Sequence, residues 1–102
     1  MDYRVVWTPG ADANLEDIAE YIGRDSRYYA SVVVSQLRSA PRSLQKYPFK
    51  YRVVPEFNNV TLREVLVYDY RMIYEVIDDS VVIMMIVNSA RNLAGLTSPD
   101  LN

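Results

Sequence analysis

The sequence predicts a two-layer α+β domain, and three observations lead there. Runs rich in β-branched and aromatic residues stand at the start and throughout the second half. Between them, residues 9–47 carry apolar side chains at helical steps of three and four. Short polar clusters separate the later runs at hairpin spacing. The resulting order is strand, antiparallel helical hairpin, then a C-terminal antiparallel β-meander whose one face the helices cover.

The first strand is "YRVVW", Tyr3 to Trp7, closed by "TPG". Thr8 suits a helix N-cap and Pro9 the first helical position, where its missing amide costs nothing. Ala11, Leu15, Ile18, Ala19 and Ile22 then mark the buried stripe of a first helix, with Gly23 at its C-terminal end. Asp25 and Ser26 offer a second N-cap, followed by Ala30, Val33, Leu37, Ala40 and Leu44. Pro41 lacks an amide donor and collides with the carbonyl of Leu37, so the second helix should kink or break there, and Pro48 ends the helical region.

"YRVVP" (51–55), "TLREVLVYDY" (61–70), "RMIYEVI" (71–77) and "SVVIMMIVNS" (80–89) read as strands, with turns at "FNN" (57–59) and "DDS" (78–80). All 102 residues fit a single domain, with 93–102 as a loose tail.

Composition narrows the chemistry. Cysteine and histidine are both absent. Disulfides and thiolate metal sites are thereby excluded, and so is the side chain most used for proton transfer near neutral pH. No cofactor or metal is expected, and any catalysis must use Arg, Lys, Tyr or carboxylates. No apolar run nears the roughly 20 residues of a membrane span, which predicts a cytoplasmic protein without membrane contact. The net charge of −2 argues against a surface that binds nucleic acid all over.

Three groupings could carry function. In "YDYRMIYEV", alternation places Arg71 opposite Tyr70, Met72 and Tyr74, which go to the core side. If "DDS" is a three-residue loop, Arg71, Ile73 and Glu75 share a face with Val87 and Ser89, with Arg91 just beyond; a two-residue loop sends Arg91 to the other face. Two converging guanidiniums would make an anion site. On spacing alone, a solvated pairing of Arg71 with Glu75 or Asp69 accounts for the pattern better. Arg38, Arg42 and Lys46, spaced by four, form a basic stripe on the second helix, a phosphate or acidic-partner surface if it is more than a solvated helix back. Nine tyrosines complete the inventory, Tyr28 and Tyr29 among them.

Laid out in order, "VVWTPGADANLEDIAEYI", "DSRYYASVVVSQLRSAPRSLQKYP", "RVVPE" and "LREVLVYDYRMIYEVIDDSVVIMMIVNSARNL" resemble the RelE/ParE toxin superfamily of bacterial toxin–antitoxin modules, which includes plasmid stabilisation proteins. The resemblance implies a toxin neutralised by an antitoxin tail wrapped across its hydrophobic groove. It leaves two activities open: RelE-like members cut mRNA in the ribosome, whereas ParE-like members block DNA gyrase. Arg71 and Arg91 match the two arginines of RelE-like sites, but "TLREVLV" has Arg63 and Glu64 where those enzymes place lysines, and Asn88 stands where some have histidine. Glu64 or Glu75 could serve as base and Arg91 could stabilise the phosphorane, but a general acid is lacking. "YRVVPEF" and "LREV" lie closer to ParE-like members. A non-enzymatic gyrase inhibitor is therefore the leading expectation, with Arg63, Arg71, Arg91, Arg38, Arg42 and Lys46 as candidate target contacts and the stretch from Arg91 to Leu96 favoured.

Overall fold

A computed structural model describes residues 2–95. Strand β1 (Arg4–Trp7) leads into helices α1 (Pro9–Gly23) and α2 (Arg27–Ser39) and a 3₁₀ helix (Ala40–Gln45). Strands β2 (Arg52–Val53), β3 (Leu62–Val67), β4 (Tyr70–Ile77) and β5 (Ser80–Asn88) follow. The five strands make one mixed sheet in the order β1-β5-β4-β3-β2, antiparallel except for β1, which lies parallel to β5. The α+β class and its element order stand as expected, and both helices sit on one sheet face.

Local chemistry fixes the helices. The Thr8 hydroxyl accepts the Ala11 amide at 3.1 Å with Pro9 at the first position, and the Ser26 hydroxyl accepts the Tyr29 amide at 3.0 Å. Gly23 is still helical, and α1 ends at Arg24 in ordinary right-handed geometry. The α-helix breaks just before Pro41 and the chain continues as 3₁₀, where a proline at the second position of a new helical turn needs no amide partner.

Leu15, Val33, Leu37 and Leu44 meet Val65, Met72, Tyr74, Val81, Ile83 and Ile86 in the main core. The tyrosines assigned to the core side are there: Tyr74 is fully buried and its hydroxyl donates to the Pro48 carbonyl at 2.9 Å, while Tyr70 is half-buried. Burial pushes the Tyr74 phenol up to about 12. Burial also raises Tyr70, helped by the nearby Asp69.

Three details depart from the sequence reading. β3 ends at Val67, and Tyr68–Asp69 form a tight turn with Tyr68 at φ 52°, so "TLREVLVYDY" is a strand plus a turn. β1 joins the sheet beside β5, pairing with residues 76 positions away in sequence, a long-range pairing that no local pattern encodes. The β4–β5 loop is the two residues Asp78–Asp79, since Ile77 pairs with Ser80. A bulge opposite Ile73/Tyr74 then shifts the register by one, from Tyr74↔Ile83 to Ile73↔Met85. The shift restores the parity that the short loop had removed, so Arg71 faces the same side as Val87 after all.

That second sheet face is not open. Val54, Phe57 and Leu93 pack over Leu62, Ile73, Met84 and Val87 as a smaller apolar cluster. Leu93 is fully buried, so the segment after β5 is anchored to that point; the remainder of the expected tail, 96–102, lies outside the described residues.

Candidate functional site

Beside this cluster lies a buried ion network, formed where β3 and β4 present Glu64 and Arg71 to the face away from the helices. Arg71 is 4% exposed and Glu64 1%. Arg71 Nε donates to Glu64 Oε1 at 2.7 Å, and Nη2 reaches the same oxygen at 2.6 Å. The Glu56 carboxylate takes the other edge of the guanidinium, with Nη2 to Oε1 at 2.6 Å and Nη1 to Oε2 at 2.7 Å. Nη1 also donates to the Arg91 carbonyl oxygen at 2.7 Å. All three guanidinium nitrogens are thus engaged. The second Glu64 oxygen pairs with Arg52, whose side chain is 57% exposed and forms the network's solvent edge.

Charge follows geometry. The Arg71 bonds hold the Glu56 carboxyl down to about 2, well below the usual carboxylate range, and the Leu93 amide, which donates to Glu56 Oε2 at 3.1 Å, reinforces this. Arg71 is raised in turn, first by its bonds to Glu56 and then by Glu64. Two arginines and two glutamates balance, which is the condition for keeping such charges buried.

Several sequence-derived assignments change. Arg71 pairs with neither Glu75 nor Asp69 and is not solvated, because the chain at 54–57 and 91–93 covers it. Arg71 and Arg91 do converge, but through the Arg91 main-chain carbonyl, so no two-guanidinium anion site forms; the Arg91 side chain is exposed. Glu64 has both oxygens occupied by arginines and cannot serve as a free base. Glu75 shares the Arg71 face four residues along β4, about 13 Å away, and accepts the Thr61 hydroxyl at 3.5 Å.

The remaining cations separate as well. Arg63 turns to the helix side, donating to the carbonyls of Val60 (2.8 Å), Phe49 (3.2 Å) and Tyr51 (3.0 Å) and stacking 5.1 Å above the Phe49 ring, which makes it a tie for the 46–51 loop. Arg38 lies 4.4 Å over the Trp7 ring and bonds Asp12 at 2.9 Å. The helix ends one residue after it, so Arg42 and Lys46 sit on and past 3₁₀ geometry and the expected three-residue stripe is broken. Arg42, Lys46 and Arg91 are exposed and, among the described residues, have no carboxylate partner.

Sequence reasoning missed Glu56 as a site residue. Its only signal was position, a carboxylate directly after Pro55 in "YRVVPEF". Also new is a groove of about 370 Å³ at the Arg52–Glu64 edge of the network, lined by Lys50, Tyr51, Arg52, Glu64, Val65 and Leu66, where β2 is too short to cover the rest of β3.

The sequence profile described as "ParE toxin of type II toxin-antitoxin system, parDE" matches residues 5–93. The chain belongs to the ParE toxin family. A curated relative of this ParE-family chain, "Toxin RelE2" of Caulobacter vibrioides, is 39% identical over 89 residues, covering 86% of this chain and 97% of the relative. Among solved structures, the chromosomal ParDE system from P. aeruginosa superposes with a TM-score of 0.71 at 18% identity, covering 84% of this chain and 95% of the other. The free E. coli toxin RelE, in mutant form, gives 0.62 at 16% identity, covering 88% and 86%. The RelBE2 toxin–antitoxin complex from Mycobacterium tuberculosis gives 0.56 at 18%, covering 86% and 99%. These structural likenesses establish the shared fold. The ParE-family chain is thus a type II toxin of the ParE/RelE superfamily. Among the described residues, no helix is long and apolar enough to cross a membrane.

Proposed function

We propose that this ParE-family toxin acts without hydrolysis, by binding and inhibiting DNA gyrase in the cytoplasm, and that a cognate antitoxin neutralises it. The observation that carries the reading is the occupancy of Arg71. An arginine that stabilises a phosphorane must turn donors toward the substrate, and all three guanidinium nitrogens of Arg71 are engaged by Glu56, Glu64 and the Arg91 carbonyl. Glu64 is sequestered in the same network, and the sequence has no histidine to replace either proton-transfer role. A purified supercoiling assay tests this: gyrase inhibited by the toxin and relieved by antitoxin is expected, and full supercoiling at large toxin excess would refute it.

One observation favours a second reading, ribosome-dependent mRNA cleavage: the relative at 39% identity carries the name RelE2. That activity would have to use the exposed Arg91 with Glu75, since both lie outside the buried network. Primer extension on translated mRNA separates the two, because ribosome-positioned cuts lost in Arg91→Ala would replace the gyrase reading.

Antitoxin capture is supported by surface chemistry. Tyr21, Tyr28, Tyr29 and Tyr68 are exposed around the turn of the helical hairpin, and the groove beside β3 exposes Leu66 and an incompletely paired strand edge. An amphipathic segment could bury the first and extend the second. The name of the neighbouring RelBE2 structure describes such a toxin–antitoxin complex for that protein.

A further inference from the structure

Beyond Ser89, whose amide donates to the Asp69 carbonyl at 2.7 Å, the segment after β5 has no strand partner, yet it is held at two further main-chain points. Arg71 Nη1 donates to the Arg91 carbonyl at 2.7 Å, and the Leu93 amide donates to Glu56 Oε2 at 3.1 Å. Both points belong to one ion pair: the carboxylate oxygen that receives Arg71 Nη1 also receives Leu93. Local bonds complete the path, from the Ala90 amide to Asn88 Oδ1 and from the Arg91 amide to the Asn88 carbonyl. The Leu93 side chain then plugs the apolar cluster of Val54, Ile73 and Val87.

We infer that Glu56 and Arg71 are positioning residues: they clasp the segment 89–95 against the sheet so that the exposed Arg91 side chain is presented to the toxin's target in one orientation. The inference rests on the toxin reading above, with target contacts beyond β5. Its physical basis is directionality. Burial of Leu93 alone would hold the segment near the sheet without fixing its rotation. Two hydrogen bonds to charged groups, one to a carbonyl and one to an amide two residues on, fix both. A buried ion network is weak evidence for stability, since apolar side chains of similar volume do as well. Apolar side chains could not, however, bond the Arg91 carbonyl and the Leu93 amide.

The test uses the full chain with Glu56→Gln and, separately, Leu93→Ala. The second leaves all four charges of the network in place and so reports on the segment even where the first folds poorly. Amide hydrogen exchange, melting temperature and growth arrest at matched soluble levels are measured for each. In both variants the 91–95 amides should exchange about tenfold faster relative to β4 and β5 amides of the same protein, and growth arrest should weaken while the strand core keeps its protection. Exchange at 91–95 that merely keeps pace with the strands would overturn the clasp. So would a freed segment with undiminished growth arrest. Gyrase inhibition is read on the wild type alone: growth arrest without it removes only the gyrase target, whereas no growth arrest at all sinks the toxin reading and this inference together.

Discussion

Arg71 and Glu56 meet edge to edge, Nη2 to Oε1 at 2.6 Å and Nη1 to Oε2 at 2.7 Å, with the guanidinium 4% exposed and the carboxylate 16%. Fifteen residues separate them in sequence. The loop that carries Glu56 therefore folds back over β4 to neutralise a cation already opposed by Glu64 on β3. A group that would serve as an anion site if free is turned into an internal fastening.

Removing one partner of such a network should be costly. Arg71→Ala leaves Glu56 and Glu64 without their shared cation, and loss of a buried charge partner typically destabilises by about 3–5 kcal/mol. Urea denaturation should show a midpoint shift of that size with little change in slope. A variant as stable as wild type would mean that the network is not formed in solution. Lost toxicity in Arg71→Ala therefore has to be compared with the folded fraction before it is read as lost catalysis.

The acid limb of stability should also report on Glu56. The Arg71 bonds hold its carboxyl down to about 2 in the folded chain, against an ordinary 4.5. Between those pH values the unfolded state binds more protons, so stability from this group is full above about 4.5 and is lost as pH falls toward 2. A depression of that size corresponds to about 3 kcal/mol. In Glu56→Gln the slope of unfolding free energy against pH in that window should drop by up to one proton, and equal slopes in the two proteins would contradict the assignment.

What could be read in advance, and what could not, divides by the range of the interaction. Thr8, Pro9 and Ser26 set helix starts through bonds within three residues, so the sequence pattern suffices for them. The turn at Tyr68 is also local, yet it uses a tyrosine in the left-handed region where glycine or asparagine is the usual signal, and the apolar run passes over it unmarked. The bulge hides in "VVIMMIV" for the same reason: an extra methionine in a continuous apolar run changes register without changing pattern. Alternation alone separates the Arg71 face from that of Tyr70, Met72 and Tyr74. What lies above that face depends on Glu56 and Leu93 arriving from other parts of the chain, and alternation within one strand carries no information about that.

The bulge has a sequence-distant partner that can be tested. Thr8 Oγ1, besides accepting the Ala11 amide, lies 2.8 Å from the Ile83 carbonyl and 3.2 Å from that of Met84, where β1 leaves off and the register changes. Past that point Asn14 Oδ1 takes the Ile86 amide at 3.0 Å in place of a strand. Thr8→Val keeps the shape and deletes both the cap and the tie, so a loss of about 1–2 kcal/mol is expected in thermal or urea unfolding. Asn14→Ala, which leaves the Ile86 amide without its acceptor, should cost about 1–3 kcal/mol. Neutral outcomes at both positions would show that the register change holds without α1.

The alkaline limb offers an independent check on the main core. Tyr74 is fully buried and donates to the Pro48 carbonyl at 2.9 Å, and burial pushes its phenol up to about 12 from an ordinary 10.0. Above pH 10 the unfolded chain releases this proton while the folded chain keeps it, so the unfolded state binds fewer protons and stability falls as pH rises from 10 toward 12. The chain has eight other tyrosines, so only a difference between variants isolates this one. Tyr74→Phe should lower stability at pH 7 by about 1–2 kcal/mol, because the Pro48 carbonyl loses its donor. It should also flatten the decline between pH 10 and 12 by up to one proton, bringing the two curves together at the alkaline end. Curves that stay parallel from pH 7 to 12 would place the Tyr74 hydroxyl in contact with water instead of in the core.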